Sequence, residues 1–310
     1  MSYKVILFAF TIVMGLAACE DKVDISNTLK AGKPALAVDA FITNLPEKQS
    51  IYLSSTQYYF DNSGPKRISG AAVKVVDEST QEEFVFEESS PGQYISPVNG
   101  DSMLIVGHPY RLNIEYQGQN YTAYSLMTRV PPIDSILFEP LKDINNDIIP
   151  GKYFAEFQAK DYPGKGDHVW IRNYKNGERI TDADRIGIAY DGTLFDTPDD
   201  DGALFVYPLR IFPVNDGGPD EDDQWLDGQL FGVELFSITP ETAAFLQAVV
   251  TQSTQGSNGP LGALFSPPPA NVPTNIVNTT SKDNAAVGFF CTSAVSRAET
   301  IVPNPYGRLQ

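Results

Sequence analysis

From residue 35 onward the chain alternates apolar and polar positions with a period of two, interrupted at short intervals by turn-forming residues. Residues 35–43 (ALAVDAFIT) put Leu36, Val38, Ala40 and Ile42 on one face, which predicts a half-buried strand. Residues 50–55 (SIYLSS), 71–77 (AAVKVVD) and 83–87 (EFVFE) predict three more. Residues 110–116 (YRLNIEY) and 121–127 (YTAYSLM) flank Gln117-Gly118-Gln119-Asn120 and predict a hairpin. Pro91-Gly92 and Asn99-Gly100 mark further turns.

Pro131 and Pro132 disfavour helix and stiffen the backbone, so a boundary is expected at 130–134. Beyond it, residues 153–159 (YFAEFQA) and 168–174 (HVWIRNY) are expected to pair across 161–166, with further strands at 205–212 and 228–238. One helix is predicted over 240–252. Thr239 is a good N-cap, Pro240 fits the first turn, Glu241 suits the dipole, and Ala243, Leu246, Val249 and Val250 form a stripe. Residues 285–295 (AAVGFFCTSAV) read as a strand covered on both faces. The expected fold is mainly β: an immunoglobulin- or transthyretin-like β-sandwich over 35–130, then a second β-rich domain over 134–310 with one short helix. No internal repeat of solenoid or propeller period is present.

Composition supports this reading. The 310 residues include 24 Gly, 23 Pro, 15 Tyr and 18 Phe, the usage of a turn-rich β protein. With 42% hydrophobic residues, the chain can build a real core. A net charge of −17 argues against binding duplex nucleic acid, and against a polybasic patch for anionic lipid.

The N-terminus adds a location. Residues 5–16 (VILFAFTIVMGL) follow Lys4 and are too few for the ~20 helical residues that cross a bilayer. They end in Leu16-Ala17-Ala18-Cys19, the pattern of a lipoprotein signal, with small residues at the cleavage site and a thiol to be acylated. Residues 1–18 are therefore expected to be removed, leaving Cys19 lipidated and residues 19–34 as a polar tether. Glu20, Asp21 and Asp24 follow the cysteine directly; an acidic stretch there resembles the surface-export signal of Bacteroidetes-type lipoproteins. The expected place is the outer membrane, facing the cell surface, with the periplasmic side as the alternative. Cys291, in apolar surroundings, is expected to be a buried, inert thiol.

Catalytic motifs are missing. There is no Gly-x-Ser-x-Gly elbow, and His108 and His168 stand in no recognisable constellation. The sequence offers no zinc signature and no phosphate-binding loop, and no cofactor is expected. Acidic residues crowd 196–201 and 216–223, but Pro198 breaks the spacing of a calcium loop, and a solvated loop serves as well. Tyr58, Tyr59 and Trp225 could stack on a glycan, or pack against a sheet.

In their order, several stretches resemble the domain of unknown function family 4249 of Bacteroidetes-type lipoproteins. They include Cys19, Ile68-Ser69-Gly70-Ala71-Ala72-Val73-Lys74-Val75, Pro91-Gly92-Gln93-Tyr94 and Val106-Gly107-His108-Pro109-Tyr110. Pro131-Pro132-Ile133-Asp134-Ser135-Ile136, Asn275-Ile276-Val277-Asn278 and Val287-Gly288-Phe289-Phe290 follow. The resemblance implies no established activity and no catalytic residues. By analogy it implies an accessory or binding module of an outer-membrane, TonB-dependent nutrient uptake system, held by lipid on Cys19 and taking a glycan or peptide ligand. A structural or adhesive surface protein and a glycan-active hydrolase are the alternatives.

Overall fold

The computed structural model describes residues 34–57, 63–97, 103–195, 202–215, 224–254, 272–282 and 284–303. The first half contains β1 (Leu36–Thr43), β2 (Ser50–Ser55), β3 (Lys66–Arg67), β4 (Ala72–Asp77), β5 (Glu83–Ser90), β6 (Gln93–Ile95), β7 (Pro109–Tyr116) and β8 (Gln119–Leu126). The second half contains β9 (Ile133–Lys142), β10 (Ile148–Ala159), β11 (His168–Lys175), β12 (Glu178–Arg179), β13 (Gly187–Tyr190), the short helix α1 (Tyr207–Ile211) and β14 (Trp225–Leu226). There follow β15 (Leu230–Ile238), the helix α2 (Pro240–Thr254), β16 (Val277–Asn278), β17 (Ala286–Ser293) and β18 (Val295–Ile301). The protein is mainly β, as expected.

Ten strands join in the order β16-β8-β7-β4-β5-β6-β2-β1-β17, with β3 on β2. β5 is where this sheet folds over: residues 83–86 pair with β4, and residues from 87 onward pair with β6. Leu36, Val38 and Leu53 from one side then share a core with Val75, Leu112 and Ala123 from the other. The sequence alternation places them there, because alternate residues of a strand face opposite ways. The β7–β8 hairpin turns on Gln117 and Gly118 alone, both at positive φ (49° and 71°), which suits the twist of a two-residue hairpin.

The second half is a three-stranded sheet, β14-β10-β9, facing a five-stranded sheet, β12-β11-β15-β18 with β13 also on β11. Phe157 and Ile136 meet Val169, Ile171, Val233 and Leu235 between them. β10 and β11 therefore do not form the expected hairpin. They lie in opposite sheets, and residues 161–167 carry the chain across. Residues 205–212 are not a strand either. Pro208 removes a ladder donor and fits the first turn of α1, while Pro213 lies in the 3-10 turn that follows. β9 is not among the strands expected from the sequence; Pro140 lies in it, and β9 is an edge strand, where proline is tolerated.

β17 and β16 cross the expected division at 130–134. They come from the second half of the sequence but complete the first sheet: β17 runs parallel to β1 and β16 pairs with β8. After Ala294 the chain continues at once into β18 of the second half. Asn275 ties the two ends of the first sheet together. Its amide donates to the carbonyls of Tyr124 (3.2 Å) and Phe290 (2.8 Å), and its Oδ1 accepts the Phe290 N–H. Ser125 Oγ accepts the Thr292 N–H at 2.9 Å.

A third core joins the two halves. Phe289 and Cys291 of β17 meet Ala243 and Leu246 of α2 and Phe236 of β15, with Phe41, Trp170 and Phe245 packed around them. α2 begins as predicted, with the Thr242 N–H donating to Thr239 Oγ1. Cys291 is free and fully buried, and burial pushes its thiol pKa up, as an inert thiol requires. Beside this core, Arg172 lies over the rings of Trp170 (4.4 Å) and Phe236 (4.9 Å). Burial, and Arg179 nearby, lower its pKa to about 10.

The β1–β17 pairing depends on one absent side chain. A Cβ on Gly288, which has φ +94°, would lie 1.9 Å from the Val38 carbonyl oxygen. Gly288→Ala is expected to cost about 3 kcal/mol or more, read as a lowered urea midpoint in chemical denaturation. An unchanged midpoint would show that β1 and β17 do not approach this closely.

Candidate functional site

Three carboxylates meet where the chain crosses between the sheets of the second half. Asp161 follows the end of β10, Asp167 precedes β11, and Asp191 follows β13. One ligand oxygen from each lies within 4.8 Å of the others, and all three residues are buried. The local sequence explains the arrangement. Gly164 (φ +112°) and Gly166 (φ +101°) let the connection double back. Asp191 (φ 47°) and Gly192 (φ 73°) form the tight turn that links Tyr190 to Thr193.

The three carboxylates have different surroundings. Asp191 Oδ1 accepts the N–H groups of Gly166 (2.8 Å) and Asp167 (2.7 Å), closing the 161–167 connection onto the β13 turn. Asp167 is paired with Arg129, whose Nη2 lies 2.6 Å from Oδ2 and whose Nε donates to both oxygens. The same Nη2 donates to the carbonyls of Pro163 (3.0 Å) and Gly164 (2.8 Å). Asp161 is only 3% exposed, and among the described residues neither of its carboxylate oxygens has a hydrogen bond of good geometry. Burial, then the charges of Asp167 and Asp191, raise its pKa to about 6, and the nearby N–H groups of Tyr162 and Gly202 offset only part of this. Three negative charges thus face one guanidinium.

Arg129 lies in the segment between β8 and β9 that joins the two halves. Its guanidinium is 5.3 Å from the centre of the Tyr162 ring. Beside them a cavity of about 440 Å³ is lined by Asn44, Val106, Arg129, Val130, Tyr162 and Ala294, residues drawn from both halves. The acidic cluster is therefore coupled to the junction.

A second feature is a broad hollow of about 990 Å³ on the outer face of β4, β5, β7 and β8. Tyr124 and Val85 stand exposed in it, and the ion pairs Lys74–Glu83 (2.7 Å) and Arg111–Glu78 (2.6 Å) line or border it.

Of the residues singled out in the sequence, Cys19, Tyr58 and Tyr59 lie outside the described residues, as do the acidic stretches 196–201 and 216–223. Trp225 is 2% exposed. Its indole N–H donates to the Val214 carbonyl (2.8 Å) and its ring meets Phe231 edge-on, so it is a core residue without a free face for a sugar. His108 Nδ1 is 2.7 Å from Asp77 Oδ2. Burial alone would raise the Asp77 carboxyl, but His108 and the N–H groups of Ser79 and Thr80 outweigh it and hold it below the usual range. This histidine secures a turn. His168 Nδ1 faces the Gly166 carbonyl at 2.9 Å, and its ring meets Tyr190 edge-on.

The fold and the site define a two-part β protein with a buried acidic cluster in its second half. The chain belongs to the family described as Domain of unknown function (DUF4249), whose model matches residues 20–299. A search among curated proteins finds no match.

The lone charge of Asp161 makes a stability prediction. Its folded-state pKa, about 6, lies above the 3.8 of an unperturbed carboxyl, so the folded state holds the proton more tightly. Stability contributed by this group is full below about 4 and falls as pH rises to about 6. In metal-free buffer near neutral pH, Asp161→Asn is expected to raise stability by about 1–3 kcal/mol and to remove that part of the slope. Denaturation at several pH values checks this, and a destabilised Asp161→Asn protein would contradict it.

Proposed function

We propose that this chain is a lipid-anchored cell-envelope protein that serves as a binding or accessory module of an outer-membrane, TonB-dependent uptake system. The observation that carries the reading is Leu16-Ala17-Ala18-Cys19 at the end of a short apolar run. The family match begins at residue 20, directly after that cysteine. Residues 20–34 then allow the folded body, whose first strand starts at Leu36, to stand up to ~50 Å from the acyl chains. Several acyl chains hold a protein stably to one leaflet, at about 0.8 kcal/mol per buried methylene.

Among the described residues no helix is long and apolar enough to cross a membrane. The hollow around Tyr124 supports the binding role. It offers an exposed ring and both signs of charge on a rigid sheet, the kind of surface that receives a polar ligand such as a glycan or a peptide.

Radiolabelled palmitate is expected to enter the wild-type protein and not Cys19→Ser, which moves from the membrane to the soluble fraction. Affinity purification from solubilised outer membrane is expected to recover a TonB-dependent transporter with the wild type. A Cys19→Ser protein that stays membrane-bound would sink the anchor. Purification without any transporter would sink the accessory role.

A further inference from the structure

We propose that Asp161, Asp167 and Asp191 form a calcium site that locks the 161–167 connection, and through Arg129 the junction between the two halves. A cluster of carboxylates alone is common on acidic proteins. Here the decisive observation is Asp161: a side chain more than nine-tenths buried, with neither oxygen in a hydrogen bond of good geometry among the described residues and one of them gathered with those of Asp167 and Asp191. A buried ionised group without a partner is costly, and a bound cation is the partner that would satisfy both of its oxygens at once.

The donor set selects the ion. All three side chains offer oxygen, and the cluster contains no thiol or imidazole, which points to a hard cation and away from zinc. The charges also match. Three carboxylates and the Arg129 guanidinium sum to two negative charges, which a divalent cation neutralises. Asp161 can bind through both oxygens, while Asp167 and Asp191 keep free lone pairs beyond their bonds to Arg129 and to the Gly166 and Asp167 amides. A spread of up to 4.8 Å closes round an ion with ~2.4 Å bonds to oxygen. Calcium tolerates such irregular, loop-borne geometry, whereas magnesium demands a near-ideal octahedron.

The position gives the ion a consequence. Asp167 is shared between the cluster and Arg129, and Arg129 also holds the carbonyls of Pro163 and Gly164. An ion that fixes Asp161, Asp167 and Asp191 fixes the connection on which the junction arginine rests. Calcium then stiffens the link between the halves. Sites built from few charged ligands bind in the range of about 0.1–1 mM, where extracytoplasmic calcium can fill them. The site does not depend on the lipid anchor.

The test uses the full chain, purified in detergent and stripped with EDTA. Titration with CaCl2 is expected to raise the unfolding temperature by about 3–6 °C at saturation and to slow hydrogen exchange at the Gly166 and Asp167 amides. Asp161→Asn is expected to bind calcium at least tenfold more weakly, while in EDTA it melts no lower than the wild type. MgCl2 is expected to give a smaller rise at equal concentration. No calcium-dependent rise up to about 10 mM, a full rise retained by Asp161→Asn, or magnesium as effective as calcium would overturn the assignment. Should Asp161→Asn fail to fold, exchange in the wild type decides, and unchanged protection at Gly166 and Asp167 in calcium rejects the site. Palmitate labelling does not bear on any of these outcomes.

Discussion

The structure depends on how closely β17 passes β1. Gly288 lets the two backbones run parallel where any side chain would strike the Val38 carbonyl. From that position β17 serves every layer. Ala286 and Phe290 complete the first core, Phe289 and Cys291 build the core shared with α2, and Ala294 passes the chain to β18. Without it β1 would be an open edge, and the outer face of the five-stranded sheet would lose much of its apolar cover. Both faces of the strand are buried, so its apolar density serves two cores.

Two buried aspartates show how the protein treats charge. Asp77 is 2% exposed, yet His108 and two backbone N–H groups answer it, and its carboxyl stays below the usual range. Asp161 is as deeply buried, but the nearby N–H groups of Tyr162 and Gly202 do not outweigh burial and the charges of Asp167 and Asp191, and it is pushed the other way. The contrast separates a carboxylate that holds a turn from one that is unbalanced in the protein alone. The cell-envelope reading and the acidic junction are compatible, since an extracytoplasmic protein meets calcium freely, but each stands on separate residues.

Local patterns in the sequence revealed local structure. Period-two alternation located β1, β2, β4, β5 and the β7–β8 hairpin, and the Thr239 cap located the start of α2. Partner choice was not legible, because pairing is a long-range matter that no window contains. β10 and β11 looked like a hairpin across a Pro/Gly turn and lie in opposite sheets. β17 was readable as a buried strand but not as a member of the first sheet. Trp225 was ambiguous between platform and core because its exposure is set by packing against other elements, Val214 before it and Phe231 after it. The acidic cluster was missed for the same reason: Asp191 is brought to Asp161 and Asp167 by the β11–β13 pairing. The available signal was modest, an aspartate at each end of a Pro/Gly-rich connection and an Asp-Gly turn further on.

The pairing of Leu36 with Ala286 spans about 250 residues. A chain that leaves a ribosome or a translocon does so N-terminus first, so β1 emerges long before the strand that covers its edge. The first sandwich can gather most of its strands early, yet it stays unsealed until Ala286–Ser293 arrive. During that interval the β1 edge that β17 will cover carries unpaired backbone N–H and C=O groups. A nascent chain released early would be left with an adhesive flank instead of a finished domain.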